Sequence, residues 1–206
     1  KGTFRKLQKM FGLELKDPYM KYKEIAIFKE LFTKLKPKKC LEYGCGTSTL
    51  YFLDFLPKNT YWYSIEHHKG WFEKIQSLND RENLHLHYVE AEKEPVPNLN
   101  DDDYVNYPEQ FGQFDFILVD GIHRENCIQK AHQLLTENGL LIVHDSNRKQ
   151  YHSYIKKFNN WMVLQDFRKS AGGIGFASKQ LHLSNLISID EHVNIWKTDT
   201  AISNFF

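Results

Sequence analysis

Two short stretches each place a carboxylate and an imidazole just past a buried apolar run. Residues 115–119 lead into Asp120-Gly121-Ile122-His123, and residues 139–143 lead into His144-Asp145-Ser146-Asn147. In an open α/β sheet, strands of this kind turn their carboxyl ends toward the ligand crevice. Six reactive groups would then converge: Asp120, His123, His144, Asp145, Ser146 and Asn147. An imidazole titrates near neutrality and suits proton removal from a hydroxyl. Carboxylates can hold a divalent cation or orient an acceptor. Quieter roles are also open. Asp120 and Asp145 could cap the helices that follow, and His123 could be a solvent-facing loop residue.

A second constellation lies upstream. Leu41-Glu42-Tyr43-Gly44-Cys45-Gly46-Thr47-Ser48-Thr49 follows a strand pattern and opens a helical one. The two glycines let the backbone turn tightly and approach a ligand, toward which the helix start points its free N–H groups. Glu66 ends the next strand pattern, 20 residues after Gly46. That is the usual interval for a carboxylate that accepts ribose hydroxyls. His67 and His68 follow, placed to line a base or to face solvent. A dinucleotide fingerprint asks for a small residue where Thr49 stands, which speaks against a nicotinamide dehydrogenase.

These groups need a scaffold. Strand-like runs at 39–43, 61–66, 84–91, 115–119 and 139–143 alternate with helical patterns at 47–55, 69–78, 124–135 and 148–158. The alternation predicts an α/β fold: a Rossmann-like, doubly wound, mostly parallel sheet with helices on both faces. Runs at 162–167 and 173–178 predict an antiparallel terminal hairpin. Amphipathic helices are expected at 4–11 and 19–35, the second started at Asp17-Pro18 and stopped by Pro37. Residues 92–114, acidic and with Asp101, Asp102 and Asp103 in a row, read as a long functional or mobile loop. Residues 180–206 read as an appendage with weak strand signals. The expected organisation is an N-terminal helical extension at 1–38, a catalytic domain at 39–178 and a C-terminal appendage at 179–206.

At 206 residues the chain suits a single domain. No apolar run reaches membrane-spanning length. Three cysteines without zinc spacing imply a reduced compartment, cytoplasmic by default. The chain begins at Lys1, which leaves room for an upstream anchor or targeting segment. Residues 1–40 carry a net charge of +8 and the remainder −7. A basic arm on an acidic body could dock on an anionic surface, or could be a solvated helix face.

Glu42-x-Gly44-x-Gly46-x-Ser48 resembles the first motif of class I S-adenosylmethionine-dependent methyltransferases. The resemblance implies a cofactor site built from Glu42, Gly44, Gly46, Ser48, Glu66, Ala91, Glu92 and Asp120. Glu42 would answer the cofactor's ammonium directly or through the loop, Glu66 the ribose, and Ala91 and Glu92 the adenine. The run from Asp120 through His144-Asp145 resembles the subgroup of catechol and macrolide-sugar O-methyltransferases. Such enzymes hold a divalent metal that chelates two neighbouring substrate oxygens and lowers the pKa of the one methylated. The implied metal positions are Asp120 and Asp145, with His144 a further donor, and the implied general base is His123. Two departures stand out. Ser146 replaces an amide ligand, and His144 is a softer donor, better suited to a transition metal than to Mg2+.

The expected activity is therefore O-methylation of a small molecule or sugar, with S-adenosylmethionine as cofactor and Asp120, Asp145 and His123 as catalytic groups. Mg2+ or another divalent metal would join them. Nucleic acid is not the expected partner, because the Pro-Pro-aromatic signature of amino-group methylation is missing after Asp120. Two alternatives stay open: an RNA or protein methyltransferase that docks through the basic arm, and a non-catalytic interaction module of the same fold.

Overall fold

The computed structural model describes residues 18–94, 96, 98–166 and 172–202. The helix predicted at 4–11, with most of the basic arm, lies outside them. Seven strands form one sheet in the order β3-β2-β1-β4-β5-β7-β6. They are β1 (Lys39–Tyr43), β2 (Tyr61–Glu66), β3 (Leu84–Tyr88), β4 (Phe114–Val119), β5 (Leu135–His144), β6 (Asn160–Leu164) and β7 (Ile174–Ser178). The first five are parallel, and β7 runs antiparallel to both β5 and β6. The doubly wound sheet with an antiparallel pair is as the periodicity predicts. Strand order reverses at β1 and β4, so their carboxyl ends open a crevice.

Helix α1 (Tyr22–Leu35) is started by Glu24, whose carboxylate accepts the Lys21 backbone N–H at 2.7 Å, and ends at Lys36 in the left-handed region before Pro37. Its Phe28 and Phe32 are buried against Phe52 and Phe116, with ring centroids 4.4 Å apart for Phe28–Phe52 and 5.1 Å for Phe32–Phe116. Leu183, Leu186, Ile187 and Trp196 join the same apolar cluster. The described parts of both terminal segments thus cover one face of the sheet instead of projecting from it. Of the other helices, α2 (Thr47–Leu53) follows β1 and α3 (Lys69–Leu78) follows β2. On the opposite face, α4 (Asp103–Asn106) and α5 (Arg124–Leu134) bury Tyr104, Val105, Cys127, Ile128 and Ala131.

Several boundaries differ from the sequence reading. The strand predicted at 84–91 stops at Tyr88, because its partner β2 ends at Glu66. The strand predicted at 139–143 begins at Leu135, directly off α5, and its register against β4 shifts between Phe114 and Phe116. In place of a helix at 148–158 there is a 3₁₀ turn (Lys149–Tyr151) and a short helix α6 (His152–Ile155). Residues 99–111 are no open loop but two 3₁₀ turns flanking α4. Asp102 caps α4 through Val105 N–H, and Tyr104 and Val105 are fully buried. Residues 180–202 hold a 3₁₀ turn (Leu183–Asn185) and helix α7 (Ile189–Ile202), not strands. The weak strand signal there came from apolar residues that pack onto α1 and the sheet. Among the described residues no helix is long and apolar enough to cross a membrane.

Candidate active site

A cavity of about 290 Å³ opens at the carboxyl ends of β1, β2 and β4. Glu42, Gly44, Gly46, Ser48, Glu66 and Asp120 all lie on its wall. Gly44 has φ 102° and crosses Gly121 so closely that an added Cβ would sit 3.1 Å from the Gly121 backbone. Only glycine takes that conformation cheaply. Glu66 Oε2 accepts Cys45 N–H at 2.8 Å, and Oε1 accepts His68 N–H at 2.6 Å. A carboxylate has about four acceptor sites, so roughly two remain for a ligand. His67 and Trp71 also line the cavity, as does Tyr19. Ala91 and Glu92 are not on this wall. Ala91 packs into the second apolar cluster, and the Glu92 carbonyl binds His123.

Glu42 is fully buried beneath the loop. Its Oε2 accepts Thr49 Oγ1–H at 2.7 Å, Ser64 Oγ–H at 2.8 Å and Trp62 Nε1–H at 3.0 Å. Thr49 Oγ1 in turn accepts Gly46 N–H at 3.0 Å. Glu42 therefore acts on the glycine loop through Thr49, the indirect route. Burial pushes its carboxyl up to about 8, against the three donors, which favour the anion. The folded protein then holds a proton that the unfolded chain releases above about 4.5. Stability from this group is full at low pH and falls between about pH 4.5 and 8. Glu42→Gln is expected to flatten that fall in urea denaturation measured across this range. An unchanged slope would show that Glu42 is ionised in the folded state.

At the ends of β4 and β5, Asp120, His144 and Asp145 come together as predicted, with ligand atoms within 4.8 Å of one another. His144 Nδ1 lies 2.9 Å from Asp120 Oδ1. Its Nε2 is buried, 3.6 Å from Glu24 Oε2 of α1, with no hydrogen-bond partner among the described residues. Glu24 Oε1 is likewise buried and unpartnered. Burial alone would lower the His144 pKa, but Asp120 and Glu24 raise it to about 10. Asp120 is held below the usual carboxylate range because His144 and Arg124 outweigh its burial.

His123 goes elsewhere. It is buried in a left-handed conformation (φ 47°), with Nδ1 2.8 Å from Asp102 Oδ2 and Nε2 2.7 Å from the Glu92 carbonyl oxygen. Both ring nitrogens thus face a protein oxygen at hydrogen-bond distance, and neither is directed at the cavity. This geometry lends no support to the sequence expectation of His123 as general base. It fastens Glu92 and Asp102 to the start of α5. Ser146, predicted beside the metal, is buried and donates to the Val143 carbonyl at 2.7 Å.

The donor set does not fit Mg2+. One of three donors is an imidazole, and Asp120 Oδ1 is already engaged by His144 and by Arg124 at 3.0 Å. Arg124 is the residue that the sequence reading missed. Its signal was present, an arginine four residues after Asp120, the spacing of neighbours on a helix face. Glu24 carried no such signal, because it reaches the site from a helix about a hundred residues away in sequence.

A family described as "Methyltransferase domain" matches residues 41–146. No curated protein sequence matches the chain. Among solved structures, an O-methyltransferase from Bacillus cereus in complex with SAH superposes with a TM-score of 0.60 at 14% identity, covering 86% of this chain and 90% of that one. A methyltransferase from Geobacter sulfurreducens gives 0.57 at 11% identity, with 85% and 86% covered. Spermidine synthase from Thermotoga maritima gives 0.57 at 18% identity, with 82% and 62% covered. At such identities the likeness is one of fold.

Proposed function

The chain belongs to the methyltransferase-domain family, and from that premise we propose that it moves the sulfonium methyl of S-adenosylmethionine to a hydroxyl of a small molecule or sugar. In the transfer the S–CH3 bond breaks and an O–CH3 bond forms. The sulfonium becomes a neutral thioether, and the hydroxyl proton must leave. The observation that carries this reading is the pair of buried atoms Glu24 Oε1 and His144 Nε2, neither with a hydrogen bond among the described residues, next to Asp120 of the cavity wall.

The cavity fits the cofactor by its chemistry. Gly44 and Gly46 line the cavity, Glu66 keeps acceptor sites for ribose hydroxyls, and Glu42 sets the loop through Thr49. The methyl is already activated, so the protein needs only to align the acceptor and stabilise its oxygen. His144, held by Asp120, donates from Nε2 to that oxygen as charge develops on it. Glu24 Oε1 receives the proton.

Calorimetric titration with S-adenosylmethionine and S-adenosylhomocysteine, with NAD as control, tests the reading. Micromolar binding of both sulfur nucleotides and none of NAD is expected. Glu66→Ala should weaken both by about 1–3 kcal/mol, the value of charge-assisted hydrogen bonds to the ribose. Folded protein that binds neither nucleotide would move the reading to an interaction module. Product analysis by mass spectrometry then separates O-methyl ethers from methylamines, and methylamines alone would refute hydroxyl transfer.

A further inference from the structure

The geometry at the ends of β4 and β5 points to Arg124 as the resident cation of this site: we infer that its guanidinium stands where a divalent metal would otherwise bridge Asp120 and Asp145, so that the acceptor is activated without a metal. The inference rests on the methyltransferase reading above and deepens it.

Every nitrogen of the guanidinium is committed. Nε donates to the Gly121 carbonyl at 2.8 Å. One terminal nitrogen donates to the His144 carbonyl at 2.7 Å and lies 3.5 Å from Asp145 Oδ2. The other donates to the Asp120 carbonyl at 2.9 Å and to Asp120 Oδ1 at 3.0 Å. The side chain is only 12% exposed. The planar fork therefore spans both carboxylates and is pinned by three carbonyls from the two strand ends. The ligand atoms of Asp120 and Asp145 lie within 4.8 Å of one another, so spacing alone would not bar a shared ion; the occupied space does. Such an ion would also have to sit beside a charge that the protein cannot discharge, because arginine stays protonated. Arg124 is the first residue of α5, and its guanidinium bonds back to the carbonyls of Asp120 and Gly121 that precede the helix. The arrangement is thus built into the fold, not the chance resting place of a long side chain. Lysine could not copy it, since a point charge cannot bridge two carboxylates and three carbonyls.

The test reads metal binding directly. Mn2+ is titrated into the purified protein and followed by electron paramagnetic resonance of the free ion. Methyl transfer and S-adenosylhomocysteine affinity are measured with and without EDTA. The unchanged protein is expected to show no saturable Mn2+ binding below the millimolar range, and EDTA should leave both readings unaltered. Arg124→Ser, shown folded by circular dichroism, should acquire Mn2+ binding that a second change, Asp120→Asn, removes. Micromolar Mn2+ binding by the unchanged protein, abolished by Asp120→Asn, would overturn the inference. So would loss of transfer in EDTA, or a folded Arg124→Ser variant that binds no Mn2+. If Arg124→Ser does not fold, titration of the unchanged protein still decides. Failure of the methyltransferase reading looks different: no S-adenosylhomocysteine binding under any condition.

Discussion

Alanine at position 144 is expected to slow methyl transfer by roughly 100- to 1,000-fold, the cost of losing one buried donor aimed at a developing oxyanion. S-adenosylhomocysteine should bind the variant as tightly as the unchanged protein, because His144 is not on the cavity wall. Asp120 orients the ring through Nδ1, and no other described group takes its Nε2 proton in a hydrogen bond. The imidazole is held protonated up to about pH 10. The sign of its contribution to stability follows. The folded pKa lies above the ordinary 6.5, so the stabilisation is complete below about 6.5 and is lost as pH rises through about 10. The donor function should persist over the same range. Denaturation of the unchanged protein between pH 8 and 10, above the Glu42 range, should show the decline, and His144→Ala should flatten it. A His144→Ala variant with less than a tenfold loss of rate would remove the residue from the mechanism. Glu24→Gln should also lower turnover while sparing cofactor affinity.

The second large effect is on the fold. Asp102→Ala is expected to cost about 1–3 kcal/mol, the range for leaving buried hydrogen-bonding groups without their partner. Asp102 and His123 have side chains 2% and 3% exposed. Asp102 also accepts Val105 N–H at 3.2 Å and Asn126 Nδ2–H at 3.4 Å. Without it His123 would lose its Nδ1 partner, and α4 would lose its tie to α5. Tyr104, whose hydroxyl meets Gly121 at the crossing with Gly44, would loosen with α4. Urea denaturation gives the number, and cofactor titration the consequence: weaker binding in proportion to the unfolded fraction, not a selective loss of rate. A fully stable Asp102→Ala or His123→Ala variant with turnover reduced 100-fold would restore His123 as the base.

The strand ends and their chemistry were legible because they are local. Asp120, His144 and Asp145 each sit one or two residues past an apolar run, and alternation alone sets which end of a strand they occupy. The glycine loop and Glu66 were legible for the same reason: a tight turn and a fixed interval leave their mark in the chain. Boundaries were less so. The helix expected at 148–158 shortens because Tyr151, Ile155 and Phe158 satisfy their burial from a 3₁₀ turn and a single α-turn. The acidic run 101–103 concealed a cap, since burial of Asp102 depends on where His123 arrives.

By itself, the sequence determined the doubly wound architecture, the cofactor loop and the meeting of three groups at the β4 and β5 ends, since periodicity and turn chemistry act over a few residues. Tertiary structure decided the roles. It placed β7 between β5 and β6, turned His123 toward Asp102 and brought Glu24 across from α1 to His144. It also set Arg124 across the two carboxylates. A side chain's protonation and freedom depend on which partners reach it through space, and those partners are set by packing between segments far apart in the chain.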